Sequence, residues 1–281
     1  MKSVVITGVS TGIGWGTAKI LLGHGFRVFG SVRKQADAER LQKQFGANFT
    51  PLLFDVTDEA AVREAARETR SALNGETLSG LVNNAGIAVP GPALELPIAE
   101  YRRQMEVNVI GPIIVTQAFA PLLGADRSLH GAPGRIVMMS SVSGQNGSPL
   151  LSPYCTSKFA IEGFSESIRR ELMLFGIDVI VIGPGAVKTL IWSKAEDTDI
   201  SVYKDSPFFP VLQGMRDYIR KFGERGLPVE TIGELVHETL TSARPRVRYA
   251  ISPEPVQLLI GKLLPKRFVD RIIAKRLGLI A

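Results

Sequence analysis

The sequence predicts an α/β protein: one domain built on a doubly wound parallel sheet with helices on both faces. Three observations carry this. Short apolar runs suited to strands alternate with helical patterns along most of the chain, the order expected when each strand returns through a covering helix. The first run passes into a glycine-rich turn and then into a helical pattern. The length, 281 residues, suits one such domain, because α/β folds often exceed ~200 residues as a unit.

Residues 3–8 (Ser-Val-Val-Ile-Thr-Gly) read as a buried strand, and Ala18, Ile20, Leu21 and Leu22 mark the helix beyond the turn. Strand two spans 26–32, followed by a helix at 36–45. Strand three, 49–54, ends at Asp55 and precedes a helix over 58–73. Strand four spans 78–82, and 98–123 is a long helical region. Strand five spans 135–139 and leads to a long helix at 153–175. Strand six spans 177–182, and 249–251 is a last strand. Ligands of such sheets bind beyond the carboxyl ends of the strands. Gly8–Gly14, Arg33, Asp55, Asn83–Gly86, Ser141 and Pro184–Thr189 all follow strands.

Apolar residues make up 45% of the chain and charged residues 21%, enough for a large core and too little charge for global disorder. The single cysteine, Cys155, excludes an internal disulfide and a cysteine metal cluster and fits a reducing compartment. His24, His130 and His237 are far apart in sequence and lack ligand spacing, so they read as ordinary surface or half-buried residues and no metal is expected. The chain opens Met-Lys-Ser and goes directly into its first strand, without the charged and apolar regions of a signal peptide. No run reaches ~18 uninterrupted apolar residues. A cytoplasmic protein is expected.

Two patterns carry chemistry. Gly8, Gly12 and Gly14 lie between a strand and a helix. Unpaired backbone N–H groups, the helix dipole and the close approach that glycine permits make such a turn an anion site. The spacing is Gly-x-x-x-Gly-x-Gly, and taken alone it is more often an ordinary turn. Tyr154 and Lys158 stand four residues apart, about one helical turn, so phenol and ammonium share a face. A phenol normally ionises near pH ~10, and a fixed cation beside it lowers that value toward a useful acid/base range. Alone, this pair too is common on solvated helices.

Together the motifs resemble the short-chain dehydrogenase/reductase family, on its hydroxysteroid and retinol dehydrogenase side. The matching residues are Thr7-Gly8-Val9-Ser10-Thr11-Gly12-Ile13-Gly14, Asn83-Asn84-Ala85-Gly86, Asn108, Ser141, Tyr154-x-x-x-Lys158 and Pro184-Gly185-x-x-x-Thr189. They occur in the family's order and spacing over about residues 1–190. The resemblance implies a Rossmann-type fold and nicotinamide-dependent interconversion of an alcohol and a carbonyl. It implies that Tyr154 handles the substrate proton, that Ser141 rather than Ser140 holds the substrate oxygen, and that Lys158 lowers the tyrosine pKa and binds the nicotinamide ribose. Asn108 would position a relay water; its bland alternative is a solvent-facing or capping residue.

The resemblance also distributes the cofactor. Gly8, Ser10, Thr11, Gly12, Ile13 and Gly14 would hold the pyrophosphate side. Asp55 and Val56 would contact the adenine, and Asn83, Asn84, Ala85 and Gly86 would line the adenosine ribose side and stabilise the central sheet. Pro184, Gly185, Val187 and Thr189 would surround the carboxamide. NAD-preferring relatives usually end strand two with a carboxylate; here Val32 is followed by Arg33 and Lys34. An arginine fork pairs well with a 2′-phosphate, which favours NADP(H) over NAD(H), with Arg33 the main contact and Ser31 or Lys34 assisting. The alternatives are a solvated basic loop at Arg33 and a helix-capping role for Asp55.

Residues 1–255 are expected to form the catalytic domain, with a substrate loop at about 190–226. That loop holds Leu190, Ile191, Trp192, Tyr203, Phe208, Phe209, Val211, Leu212, Met215 and Tyr218, enough apolar area for a bulky lipophilic alcohol or carbonyl of steroid, retinoid or fatty type. Residues 256–281 form a basic tail. From 262 onward six basic residues and Asp270 give +5 of the chain's +6. Phe268, Ile272 and Leu279 give the tail an amphipathic pattern, which fits either a helix docked on the body, the commoner case, or peripheral contact with an anionic membrane. No basic patch with interleaved aromatics suggests nucleic acid. The family implies a homodimer or homotetramer through the helices at 98–123 and 153–175. Two other functions stand beside the enzyme: a non-catalytic dinucleotide-binding regulator, against which the intact Ser141, Tyr154 and Lys158 count, and a membrane protein acting through its tail.

Overall fold

A computed structural model describes residues 1–189, 199–255, 260 and 263–280, with the backbone alone at 216–222 and 224. Seven strands, β1 Ser3–Ile6, β2 Arg27–Val32, β3 Phe49–Leu53, β4 Gly80–Asn83, β5 Arg135–Met139, β6 Asp178–Pro184 and β7 Arg248–Ile251, form one sheet in the order β3-β2-β1-β4-β5-β6-β7. Every pairing is parallel. The order reverses between β1 and β4, so the loops leaving these strands diverge and open a crevice between them.

The helices are α1 Gly12–Gly23, α2 Gln35–Phe45, α3 Glu59–Ala72, α4 Ile98–Met105, α5 Gly111–Phe119, α6 Ser152–Glu171, α7 Phe209–Glu224, α8 Val229–Thr241 and α9 Lys266–Arg276. Both faces of the sheet are covered, so the strands are continuous apolar runs rather than alternating ones; β1 is buried at every position. Successive residues still serve opposite layers. Val5 packs with Val62, Val115, Phe119 and Ile161 on the side of α3, α5 and α6. Val4 and Ile6 pack with Leu21, Leu41, Ile232 and Val236 on the side of α1, α2 and α8.

Local rules account for the elements. In α3 the buried residues Val62, Ala65, Ala66 and Thr69 make a helical stripe, and the Asp58 carboxylate caps its start by accepting from the Ala61 N–H at 3.0 Å. Asp55 therefore does not cap this helix; it folds into a local turn, accepting from the Thr57 N–H and hydroxyl. The expected helix at 98–123 is one helical run, interrupted by a wider π turn at Glu106–Ile110. It is long and apolar enough to cross a membrane, yet more than half of its most apolar stretch is buried in the fold.

The tail docks on the body. Leu277 and Leu279 pack against Leu150, Val211 and Leu212, and Asp270, Ile273, Ala274 and Leu279 line a cavity of about 580 Å³ against the start of α6. Phe268 and Ile272 remain about half exposed on the other side of the helix. The histidines are exposed or half-buried as expected, but two of them meet. His24 and His237, distant in sequence, stack face to face at 3.8 Å, with Glu234 3.4 Å from His24. Parallel rings in this arrangement do not aim their in-plane lone pairs at one point.

Candidate functional site

The crevice beside β1 is a cleft of about 650 Å³ lined by Gly8, Ser10, Thr11, Gly12 and Ile13, by Val32, Arg33, Asp55 and Val56, by Asn84 to Val89, and by Thr189. Its floor is the glycine turn. Gly8 has φ +73°, a backbone that favours glycine, and a Cβ there would press on Ala85 at 3.1 Å. A Cβ on Gly14 would collide with the Gly8 carbonyl. The glycines thus let the turn pack tightly against Ala85, Asn84 and its own backbone beneath the start of α1, whose first N–H groups have no intrahelical partner.

The turn is fixed from three directions. The Gly8 N–H donates to Ser31 Oγ at 2.9 Å, so the buried Ser31 hydroxyl supports the turn. Asn84 Nδ2 donates to the Thr7 and Gly8 carbonyls at 2.8 and 3.2 Å. Arg40, on α2, donates to the Ser10 carbonyl at 2.9 Å while paired with Asp37. Arg40 carries no sequence signal, since its role depends on how α2 lies over the turn.

Just beyond β2, Arg33 reaches 3.5 Å from Asp55, with most of its side chain open to solvent. Burial alone would raise the Asp55 pKa; the Thr57 hydrogen bonds and the Arg33 guanidinium outweigh it and hold the carboxyl below its ordinary value. Lys34 is exposed just before α2 and lies outside the cleft lining.

The structure corrects one position in the Asn83–Gly86 run. The Asn83 side chain turns into the core, where Nδ2 donates to Thr116 Oγ1 at 3.0 Å; its neighbour Asn84 faces the cleft. Adjacent strand residues point to opposite faces, and the motif alone does not say which one faces inward.

Asn108 lies in the π turn, a feature often found at functional sites, and is buried rather than solvent-facing. Its Oδ1 accepts from the Ile87 N–H at 2.8 Å, and its Nδ2 donates to the Ile87 carbonyl and to Ser157 Oγ. Gln104, one turn earlier and fully buried, accepts from the Val89 N–H and donates to the Ile87 carbonyl. These contacts tie the cleft wall to the helix that carries Tyr154 and Lys158. Gln104 was not legible as a site residue, because its signal is a spacing of four from Asn108 on a face known only after folding.

At the end of β5, Ser141 Oγ accepts from the Ser143 N–H at 3.1 Å and lies 3.4 Å from the Pro184 carbonyl. The Ser141 hydroxyl acts on the Tyr154 phenol in the direction that favours ionisation. Ser140 Oγ is buried without a partner among the described residues. The Lys158 ammonium, buried, donates to the Met139 carbonyl at 2.8 Å and lies 5.7 Å from the centre of the Tyr154 ring. Burial pulls the Lys158 pKa down to about 8, while Glu162 works in the opposite direction. The expected lowering at Tyr154 is not found: burial pushes the phenol up, and the Ser141 hydroxyl opposes it only in part.

Beyond β6, Thr189 lines the cleft beside Gly12. Pro184 ends the strand, Gly185 bonds to Ile251, and Val187 is buried beside Leu227. Leu190, Ile191 and Trp192 lie outside the described residues. Tyr203 lines the cleft mouth with Leu96 and Val202, while Val211 and Leu212 turn into a small apolar core with Leu150 that Phe208 and Met215 flank.

The family model of short chain dehydrogenases matches residues 2–199. The NADPH-dependent 3-dehydrocapnine reductase of Ornithobacterium rhinotracheale is 37% identical over 278 residues, covering 99% of this chain and 98% of the relative. Retinol dehydrogenase 5 of Homo sapiens is 31% identical over 288 residues, covering 96% and 87%. A short chain dehydrogenase from Burkholderia cenocepacia J2315 in complex with NADP has a TM-score of 0.73 at 22% identity, covering 97% of this chain and 99% of that one, a likeness of fold. The motif series, the sheet order and these full-length relatives lead to one conclusion: the chain belongs to the short-chain dehydrogenase/reductase family.

Proposed function

We propose that the protein is an NADP(H)-dependent oxidoreductase that interconverts a bulky lipophilic alcohol with its ketone or aldehyde. The observation that carries this is the buried Lys158 ammonium, anchored on the Met139 carbonyl and 5.7 Å from the centre of the Tyr154 ring, with the Ser141 hydroxyl two residues beyond the end of β5. Together they offer a proton donor and an oxygen-holding hydroxyl at the carboxyl edge of the sheet, where such folds bind ligands.

When bound, the nicotinamide supplies or accepts the hydride. Gly8, Gly12 and Gly14, with the N–H groups at the start of α1, hold its pyrophosphate. Arg33 takes the 2′-phosphate through its planar fork, and the NADPH dependence of the 3-dehydrocapnine reductase supports this choice over NAD(H). Asp55 and Val56 hold the adenine, and Thr189 the carboxamide. Ser141 holds the substrate oxygen, and Tyr154 gives that oxygen its proton in reduction. A phenol kept neutral by burial is the correct form for this donation. Lys158 keeps a positive charge beside the phenol below its pKa of about 8, easing loss of the proton in the transition state. Asn108 and Gln104 hold the wall at Ile87–Val89.

The apolar residues Leu96, Val202 and Tyr203 at the cleft mouth support a lipophilic substrate, as do the retinol dehydrogenase relatives. The exposed Phe268 and Ile272, flanked by Lys266, Arg267, Arg271 and Lys275, support contact with an anionic membrane surface from the cytoplasm. Ile98, Ile110 and Phe159, exposed on the helical run at 98–123 and on α6, support association into a dimer or tetramer.

The test is NADPH consumption over a panel of steroid, retinoid and long-chain aliphatic carbonyls, with NADH in parallel. Turnover of a lipophilic carbonyl with NADPH preferred is expected. Preference for NADH, or turnover confined to small polar carbonyls, contradicts the proposal.

A further inference from the structure

An ion pair behind the reacting residues has no part in the motifs. Arg248, the first residue of β7, donates through Nε to Glu162 Oε2 at 2.9 Å and through a terminal nitrogen to Oε1 at 3.0 Å. Both side chains are less than one-fifth exposed. The same guanidinium donates to the Ser141 carbonyl at 3.3 Å. Two glycines leave room for the pair: a Cβ on Gly183 would lie 2.6 Å from the guanidinium, and one on Gly144 would lie 3.0 Å from the Glu162 side chain. Arg248 lies outside the region matched by the family model, which ends at residue 199.

We infer that Glu162 and Arg248 are a positioning pair, which fixes the backbone of Ser141 and faces Lys158 with a carboxylate. This rests on the assignment of Ser141 and Lys158 above. Geometry carries it. A largely buried bidentate pair is rigid and directional, and one of its partners also grips the Ser141 carbonyl, so displacing the fork displaces the residue that holds the substrate oxygen. Glu162 follows Lys158 by four residues on α6, on the same helix face. Among the described residues, the charged or titratable groups around Lys158 are Tyr154, Glu162 and, behind Glu162, Arg248. The carboxylate favours the charged ammonium and offsets part of the burial that disfavours it. The pair thus links β7, at the sheet edge, to both halves of the proton-handling site. Neither residue touches the substrate.

The two effects separate by substitution. Glu162→Gln keeps the shape and removes the charge; Arg248→Lys keeps the charge and removes the fork. Because Glu162→Gln strands a largely buried guanidinium, which is strongly destabilising, the double variant Glu162→Gln/Arg248→Met is measured beside it, with thermal melting as the check on folding. In full-length protein carrying lysine labelled at Cε, the Lys158 signal is assigned by its loss in Lys158→Met and followed by NMR through a pH titration. The wild-type signal is expected to titrate near pH 8. In Glu162→Gln it moves down by about one unit, in the double variant, which loses the neighbouring cation with the carboxylate, it moves by less, and in Arg248→Lys it stays in place. On any carbonyl the wild type reduces, Arg248→Lys lowers kcat by up to ~100-fold and leaves the KM for NADPH unchanged. An unmoved Lys158 titration in folded Glu162→Gln overturns the proposal, as does a double variant shifted as far as the single one or an Arg248→Lys effect confined to KM; where Glu162→Gln does not fold, the last two decide. The titration needs neither substrate nor turnover, so it still decides the question if the proposed substrate class proves wrong.

Discussion

Two cations of the proposed site, Arg33 in the cleft lining and Lys158 on α6, are held in opposite ways. Arg33 projects from the end of β2 with most of its side chain in water and a weak partner, Asp55, at 3.5 Å. Lys158 is buried, bonded to the Met139 carbonyl, with a pKa drawn down to about 8. The contrast follows from physical chemistry. An exposed guanidinium costs little to keep charged and acts on what arrives from solvent, so it suits binding and selectivity. A buried ammonium carries a desolvation cost that destabilises the fold and makes its charge sensitive to pH, a cost justified where the chemistry happens. Arg33 is therefore expected to answer substitution locally, and Lys158 through stability, pH and turnover together.

Lys158→Met is the most severe break. Because burial lowers the folded pKa below its ordinary 10.5, the folded wild type holds its proton less well than the unfolded chain. The variant is thus expected to be more stable than wild type by roughly 2–3 kcal/mol below pH 8, an advantage that disappears as pH rises toward the ordinary lysine value. Chemical denaturation at neutral and alkaline pH reads this, and turnover should be almost lost. In the cleft wall, Gln104→Leu leaves the Val89 N–H without its partner and removes a donor from the Ile87 carbonyl. It should cost about 2 kcal/mol, seen as a lower denaturation midpoint, and weaken NADPH binding through the wall it supports.

The exposed cation should behave differently. Arg33→Ala is expected to weaken NADPH binding by roughly 10- to 100-fold, the worth of a charged hydrogen bond, with NADH affinity and melting temperature little changed. Fluorescence titration with both cofactors checks it, and equal loss for the two would assign Arg33 another role. Smallest of all, Asp55→Asn should change stability by less than ~1 kcal/mol, since an exposed ion pair contributes little, even though the Thr57 bonds keep its pKa low. A larger loss would mean that the Asp55 turn supports more than its own loop.

The same contrast explains what the sequence made legible. The strands, the glycine turn, Arg33, Ser141, Tyr154 and Lys158 are local signals: an apolar run, a fixed spacing, a residue at a strand end. Each strand appears within about two residues of its expected place. Residues that act through tertiary contact were not legible. Arg248 meets Glu162 across 86 residues, Arg40 reaches the glycine turn only because α2 lies over it, and His24 finds His237 because α1 and α8 pack together. The Asn83–Asn84 run was readable as a motif, but strand phase decides which side chain enters the cleft. The direction at Tyr154 was misjudged for a related reason: spacing shows that a lysine is near in sequence, not how deeply the fold buries the phenol, and burial is what raises its pKa.

The central claim is that Tyr154 hands the proton to the substrate oxygen. The most direct measurement compares wild type with Tyr154→Phe, both saturated with NADPH, on a lipophilic carbonyl that the wild type reduces. The account predicts unchanged NADPH affinity and a fall in kcat of at least ~100-fold; equal turnover by the phenylalanine variant would contradict it.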